Sequence, residues 1–270
     1  MRLARRILIT VLCTIAAIFV TVRFVAPIAL SFYAARKVPA VARVVPTDLQ
    51  DHSISQAPGL QLSYAGYEFE IPWDDLDKSK TQLYPKDKPA KTRAVLAFRS
   101  GLRLMITAVP PREMADSFTK GDLGFKIPPQ ALEVVFGHGA STSDYAFVSN
   151  VYEFTPDKMH YWSLSDRVHA REMVLLTIKS IMPSGSAESG IFRVQNQDYK
   201  GFQQGNPAKH PHGILVTLYS ESGGVEFVFS DHDYRNPAGV TQPEINRIVQ
   251  SLRKGVPGDS SKPLTATIAR

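Results

Sequence analysis

The 270-residue chain has one cysteine, Cys13, and it lies inside an apolar segment near the amino terminus. That count excludes a disulfide framework and a thiolate zinc site, so whatever follows the segment is held by its core alone. Acids are missing as well, but only locally. None of the 25 Asp and Glu falls in residues 1–46, which carry seven of the 31 Lys and Arg. The other 24 basic residues meet 25 acids, a balance of −1, so the +6 of the whole chain belongs to its leading segment. Beyond residue 46 the charges are interleaved, as in DLDKSK from Asp75 and KDK from Lys86. No cationic stripe is left for a phosphate backbone, which removes nucleic acid as a partner. Also missing are HExxH, GxSxG, a Walker loop, a GxGxxG between strand and helix, and any internal repeat, so no cofactor is implied.

What is present begins with a basic lead (Arg2, Arg5, Arg6) and an apolar run from Ile7 that meets Pro27. Residues 7–26 as a helix, at about 1.5 Å per residue, reach roughly 30 Å, the thickness of a hydrocarbon core. Arg23 falls in the last turn, where its stem lies along the helix and its guanidinium sits among headgroups. A cleaved signal needs small residues one and three positions before the cut; Ala29 and Ser31 fit loosely, and Ala40 and Ala42 stand too far on. Leu12 before Cys13 argues against a lipidation site. The segment therefore reads as an uncleaved membrane anchor, with a cytoplasmic amino terminus because the leading charges abut the span and a large following domain translocates regardless of modest flanking charge.

Three parts follow from this division: 1–46 as basic lead, anchor and start of a stalk, 47–256 as one α+β domain, and 257–270 as a flexible tail. The proline-bearing stretch 38–58 reads as the stalk. Within the domain, Tyr67, Phe69 and Ile71 alternate with polar residues, a half-buried strand. Residues 92–109 read as two strands around a Ser100-Gly101 turn, which sets Ala97 opposite Leu104, Val95 opposite Ile106 and Leu96 opposite Met105. Both faces of that hairpin are apolar, which places it centrally between covering layers. Helical spacing takes over across 111–182: Tyr145, Val148, Val151 and Tyr152 share a face, Thr155-Pro156-Asp157 supplies a helix start, and Ser165-Asp166 opens a longer helix through Met182.

Strand patterns return at 190–194, 199–204, 214–220 and 225–230, the last two joined by a Ser222-Gly223 turn that sets Ile214, Val216 and Leu218 opposite Asp231, Phe229 and Phe227. Gly201 and Gly205 flank one strand, a pattern that marks a bulge or the close approach of another chain. Thr241-Gln242-Pro243-Glu244 forms a capping box, and Ile245, Ile248, Val249 and Leu252 make one apolar stripe, so this last helix lies on the sheet. The predicted fold is α+β, a mainly antiparallel sheet sandwiched between helices, preceded by one transmembrane helix.

The opening GYEFEIPW (66–73) and the closing GGVEFVFS with EINRIVQSLRK resemble the start and end of the PsbP and Mog1-like group in element order. That resemblance implies an antiparallel sheet packed between helices and an accessory or interaction role without catalysis; it transfers no site residues.

One constellation has the elements of chemistry. His210-Pro211-His212 precedes one strand of the last hairpin, and Ser230-Asp231-His232-Asp233 follows the other. In the register above, His212, Asp231 and Asp233 converge at the open end, a ligand set for a divalent ion or a general-base pair for hydrolysis. The competing reading is a polar strand end whose Asp and His bond nearby backbone. Two functions are thus expected from the sequence: a bacterial-type, single-span protein presenting an extracytoplasmic domain that binds a protein or envelope component, or a metal-assisted hydrolase using those three residues.

Overall fold

The computed structural model describes residues 12–38, 40–84, 93–111, 113–121, 127–136, 143–163, 165–182, 190–210, 213–231, 239–255 and 265–268. Arg2, Arg5 and Arg6 lie outside them. Helix α1 (Leu12–Lys37) is continuous, with a single π-helical turn at Thr21–Val25. Its early part leaves Ile15, Ile18, Phe19 and Val22 exposed, whereas Ser31 and Ala35, further on, are buried. The helix is therefore apolar and bare in its first part and packed along one side beyond it, where Leu30 and Tyr33 stay exposed.

No stalk follows it. Residues 40–43 form a 3₁₀ turn in which Ala42 is fully buried, and β1 (Thr47–Asp48) pairs in parallel with the strand containing Phe192. Asn246 Nδ2 donates to the carbonyls of Asp51 and Ser53 at 2.8 Å each, and the Ser55 amide donates to the Pro243 carbonyl at 3.0 Å. The stretch is irregular, as its prolines require, but its backbone groups find partners on the domain. This corrects the stalk expected over 38–58.

The domain adds β2 (Leu60–Tyr64), β3 (Tyr67–Ile71), β4 (Gln82–Tyr84), β5 (Arg93–Ala97) and β6 (Leu102–Val109), then the helices α2 (Glu113–Lys120), α3 (Pro129–Phe136), α4 (Asp144–Glu153) and α5 (Asp166–Ile181). Strands β7 (Ile191–Gln195), β8 (Lys200–Gln204), β9 (Ile214–Ser220) and β10 (Gly223–Asp231) precede α6 (Gln242–Ser251), β11 (Arg253–Lys254) and β12 (Thr265–Ile268). The result is a mixed helix-and-sheet fold. Its large sheet runs β1-β7-β8-β9-β10-β6-β5-β4, antiparallel except for β1 with β7; a small sheet runs β11-β3-β2-β12.

Alternation along the central strands sends Leu96, Leu104, Ile106, Val216, Leu218, Phe227 and Phe229 to one face. That face meets Leu60, Leu62, Phe69 and Ile71 of the small sheet together with Ile245, Ile248, Val249 and Leu252, so its covering layer is a second sheet plus α6 and not helices alone. The Phe69 and Phe227 rings meet edge-on, centroids 5.2 Å apart. Glu244 closes the start of α6 by accepting from the Thr241 amide at 2.7 Å. On the opposite face Ile191, Phe202 and Tyr219 pack against Phe147, Val148, Val151, Tyr152, Leu175 and Ile178 of α4 and α5.

Both hairpins form, in registers that differ from expectation. Leu96 pairs with Leu104 and Val95 with Met105, because the Phe98 amide bonds the Leu102 carbonyl at 3.0 Å and closes a three-residue loop, Arg99-Ser100-Gly101. That one-residue slip exchanges the partners across the pair but leaves β6 beside β10, well inside the sheet. In the last hairpin Phe229 pairs with Ile214 and Phe227 with Val216, so the two-residue loop is Glu221-Ser222 and the shift of two keeps every face. Around Pro156 only a 3₁₀ turn, Pro156–Lys158, forms where a helix start was expected.

Gly201 answers to a neighbour within the chain. A Cβ there would stand 1.9 Å from the Thr217 carbonyl oxygen and 2.9 Å from the Leu218 Cα of the adjacent strand. The close approach inferred from the two glycines is thus that of β9. Gly201→Ala should cost about 3 kcal/mol by prising β8 from β9, read as a lowered urea midpoint; an unchanged midpoint would show that the strands yield freely. At the carboxyl end, Thr265–Ile268 pairs with β2, so the 257–270 segment is not a loose tail throughout; an exposed edge of β2 captures it.

Candidate functional site

The segment after the Pro156–Lys158 turn doubles back along α5 before that helix begins, and the fold uses it to hold three separate elements together. Met159 is buried with Ala35 of α1 and Leu176 of α5. Tyr161 donates its hydroxyl to the Pro156 carbonyl at 2.8 Å, and its ring lies 4.4 Å from that of Phe32. His160 turns toward α5. There the Glu172 carboxylate, 4% exposed, accepts from the His160 amide at 3.0 and 3.1 Å and from its Nδ1 at 2.6 Å. A carboxylate only accepts, so Nδ1 carries the proton and Nε2 is left for whatever enters from solvent.

Beside this pair opens a cleft of about 690 Å³. Its floor is apolar, from Phe154, Met159, Val168 and Leu175, and its rim carries Lys158, His160, Trp162 and Arg171. Trp162 is 77% exposed, the most exposed aromatic side chain among the described residues. Burial, with the nearby Asp157 charge adding to it, raises the Tyr161 hydroxyl above its ordinary range, so this ring enters the cleft as a neutral group. No family model, curated protein or solved structure matches this chain.

A second histidine ties α1 to the same place. Ser31 Oγ donates to His169 Nδ1 at 3.2 Å, and His169 Nε2 donates to the Ser163 carbonyl at 2.6 Å. Serine and histidine in contact are the components of nucleophilic catalysis, but both are buried and the ring nitrogen that would face a substrate is spent on backbone. The pair acts as a latch between α1 and α5. Arg23 also pairs with Asp166, the first residue of α5, and the Phe32 ring lies 6.4 Å from that of Trp162.

Of the three residues singled out from sequence, only Asp231 lies among the described residues. His212 and Asp233 lie outside the described residues. Asp231 ends β10, its backbone paired with Leu102 of β6. Among the described residues no group of three His, Cys, Asp or Glu is placed to hold a metal ion. The cleft was missed because His160 and Glu172 are twelve positions apart across a turn and a helix start, a spacing with no periodic signature. Its one local signal was MHYW (159–162), two aromatics beside a histidine in an otherwise polar stretch.

Proposed function

We propose that the chain is a single-span membrane protein, amino terminus in the cytoplasm, whose domain on the far side works as an accessory module that binds an envelope component through the cleft at His160 and Arg171. The observation that carries this reading is the division of α1. Its first part is long, apolar and unpacked enough to cross a membrane, and its last part is an integral piece of the domain wall, through Ser31 and Ala35, next to the cleft. The likeness in element order to the PsbP and Mog1-like group supports the same accessory role. So does the chemistry of the pair at the cleft, since Glu172 spends both oxygens on the His160 amide and thereby holds a loop in place.

The expected result is that the full-length chain stays in the pellet on carbonate extraction and that its amino-terminal sequence is intact. A mature chain beginning near Ser31 or Arg43 would refute the anchor, and one beginning after Ser31 would also lack the Ser31 half of the latch.

A further inference from the structure

The cleft has a fixed height above the bilayer, set by residue contacts. Helices α1 and α5 run side by side in the same direction: Arg23 meets Asp166, Ser31 meets His169, and Ala35 packs with Leu176. Asp166 is half-exposed and paired with Arg23, a charged pair that belongs in the headgroup layer, so the hydrocarbon ends at about the level of Arg23. Exposed apolar residues flank the π-helical turn that contains Arg23: Phe19 and Val20 before it, Val22 and Val25 within it, and Leu30 and Tyr33 after it. From that level the α5 side of the cleft climbs through Val168, Arg171 and Leu175. At 1.5 Å per residue these stand about 3, 8 and 14 Å above Asp166. The interfacial layer is roughly 5 to 8 Å deep on each side of a bilayer. The membrane-side lip of the cleft, Val168 to Arg171, therefore lies at the level of the headgroups, with Arg171 at their outer edge and Leu175 beyond them.

The chemistry at that height matches one occupant. Arg171 is exposed and makes no ion pair among the described residues, and Lys158, which pairs with Glu153 at 3.9 Å, lines the same opening. The single acid of the lining, Glu172, is already engaged by His160. The lining thus sets Lys158 and Arg171 against one acid, a formal excess of one positive charge carried at the mouth by Arg171, and Trp162, amphipathic and bare, stands at the edge of the cleft as tryptophans do at membrane interfaces. We propose that the cleft takes an anionic phospholipid from the leaflet into which α1 is inserted, its phosphate on Arg171 and its glycerol region on the membrane side of that residue, against Val168. This rests on the membrane-anchor reading above and names the envelope component.

The test uses the full chain in phosphatidylcholine nanodiscs doped with brominated phosphatidylglycerol or with an equal share of brominated phosphatidylcholine. Bromine quenches nearby tryptophan, and subtracting a Trp162→Phe variant isolates that residue from Trp73. A basic residue at an anionic surface enriches the lipid about fivefold, so Trp162 should be quenched several-fold more by the brominated anionic lipid. Arg171→Gln should abolish the difference, with its thermal unfolding unchanged because the side chain is exposed. Equal quenching by the two lipids, or a preference that survives Arg171→Gln, would overturn the proposal. So would a loss of the preference on adding inorganic phosphate, which would mark a site for free anions. A chain that fails to co-elute with the nanodiscs refutes the anchor itself, whereas co-elution without lipid preference refutes only the lipid site.

Discussion

Ile248→Asp should leave the domain largely unfolded at urea concentrations where the parent is intact. Ile248 is fully buried on α6, in the cluster that joins the large sheet to β2 and β3. Its removal forfeits about 2 to 3 kcal/mol of transfer free energy, and the carboxylate that replaces it enters surroundings made of Leu, Ile, Val and Phe. With the cost of an unpaired buried charge, or of protonating it, the total comes to about 5 kcal/mol. Natural domains have about 5 to 15 kcal/mol in all. Ile248→Val, which trims one methyl, should cost about 1 kcal/mol and serves as the control for packing without charge. Equal urea midpoints for Ile248→Asp and the parent would mean that α6 does not pack on the sheet.

Lys179 should prove nearly as costly, for a different reason. It is fully buried, and its ammonium donates to the carbonyls of Tyr152 and Phe154 at 2.7 Å each, closing the carboxyl-terminal end of α4. Lys179→Ala removes two charge-assisted bonds, leaves those acceptors in a dry site and opens a cavity, a loss of about 3 to 4 kcal/mol. Lys179→Met keeps the volume and should lose about half as much. Burial, with Lys158 adding repulsion and Glu153 opposing it, lowers the amine from 10.5 to about 8.

The sign of the pH effect follows from which state holds the proton. Between about pH 8 and 10.5 the unfolded chain keeps the Lys179 proton and the folded chain has lost it, so this group's contribution to stability rises with pH across that window. Tyr64 and Tyr67, raised by burial to about 12, act in the opposite sense above pH 10. Urea midpoints of the parent should therefore gain on those of Lys179→Met between pH 8 and 9.5. A constant difference across that range would show that the amine titrates normally.

Legibility in the sequence followed how local each cause is. The start of α6 is written in four residues, Thr241 to Glu244, and its buried face in Ile245, Ile248, Val249 and Leu252; both were read and both are observed. Strands with strong alternation were placed to within one or two residues, except β2 (Leu60–Tyr64), which was not expected, and their registers depend on how a loop closes. Ser100-Gly101 looked like a complete turn, and only the bond from Phe98 to Leu102 shows that Arg99 belongs to it. Strands β1, β11 and β12 are two to four residues long and exist because a neighbouring edge pairs with them, which no periodicity records. The site was hidden for the same reason. His160 meets Glu172 only after the chain folds back on α5, whereas the cluster of His212, Asp231 and Asp233 follows from the hairpin register, with His212 and Asp233 outside the described residues.

In the membrane-anchor reading proposed above, the unbroken passage of α1 into the domain makes the protein a lever. With Ser31 held to His169 and Ala35 sunk beside Leu176, a change in the tilt of the helix turns the whole domain with it. Helices tilt to match the hydrocarbon thickness around them. A thicker membrane would stand the lever upright and lift Trp162 from the headgroups, and a thinner one would lean it over and press the cleft toward the lipid, so the thickness of the membrane would meter how much of this surface is in use.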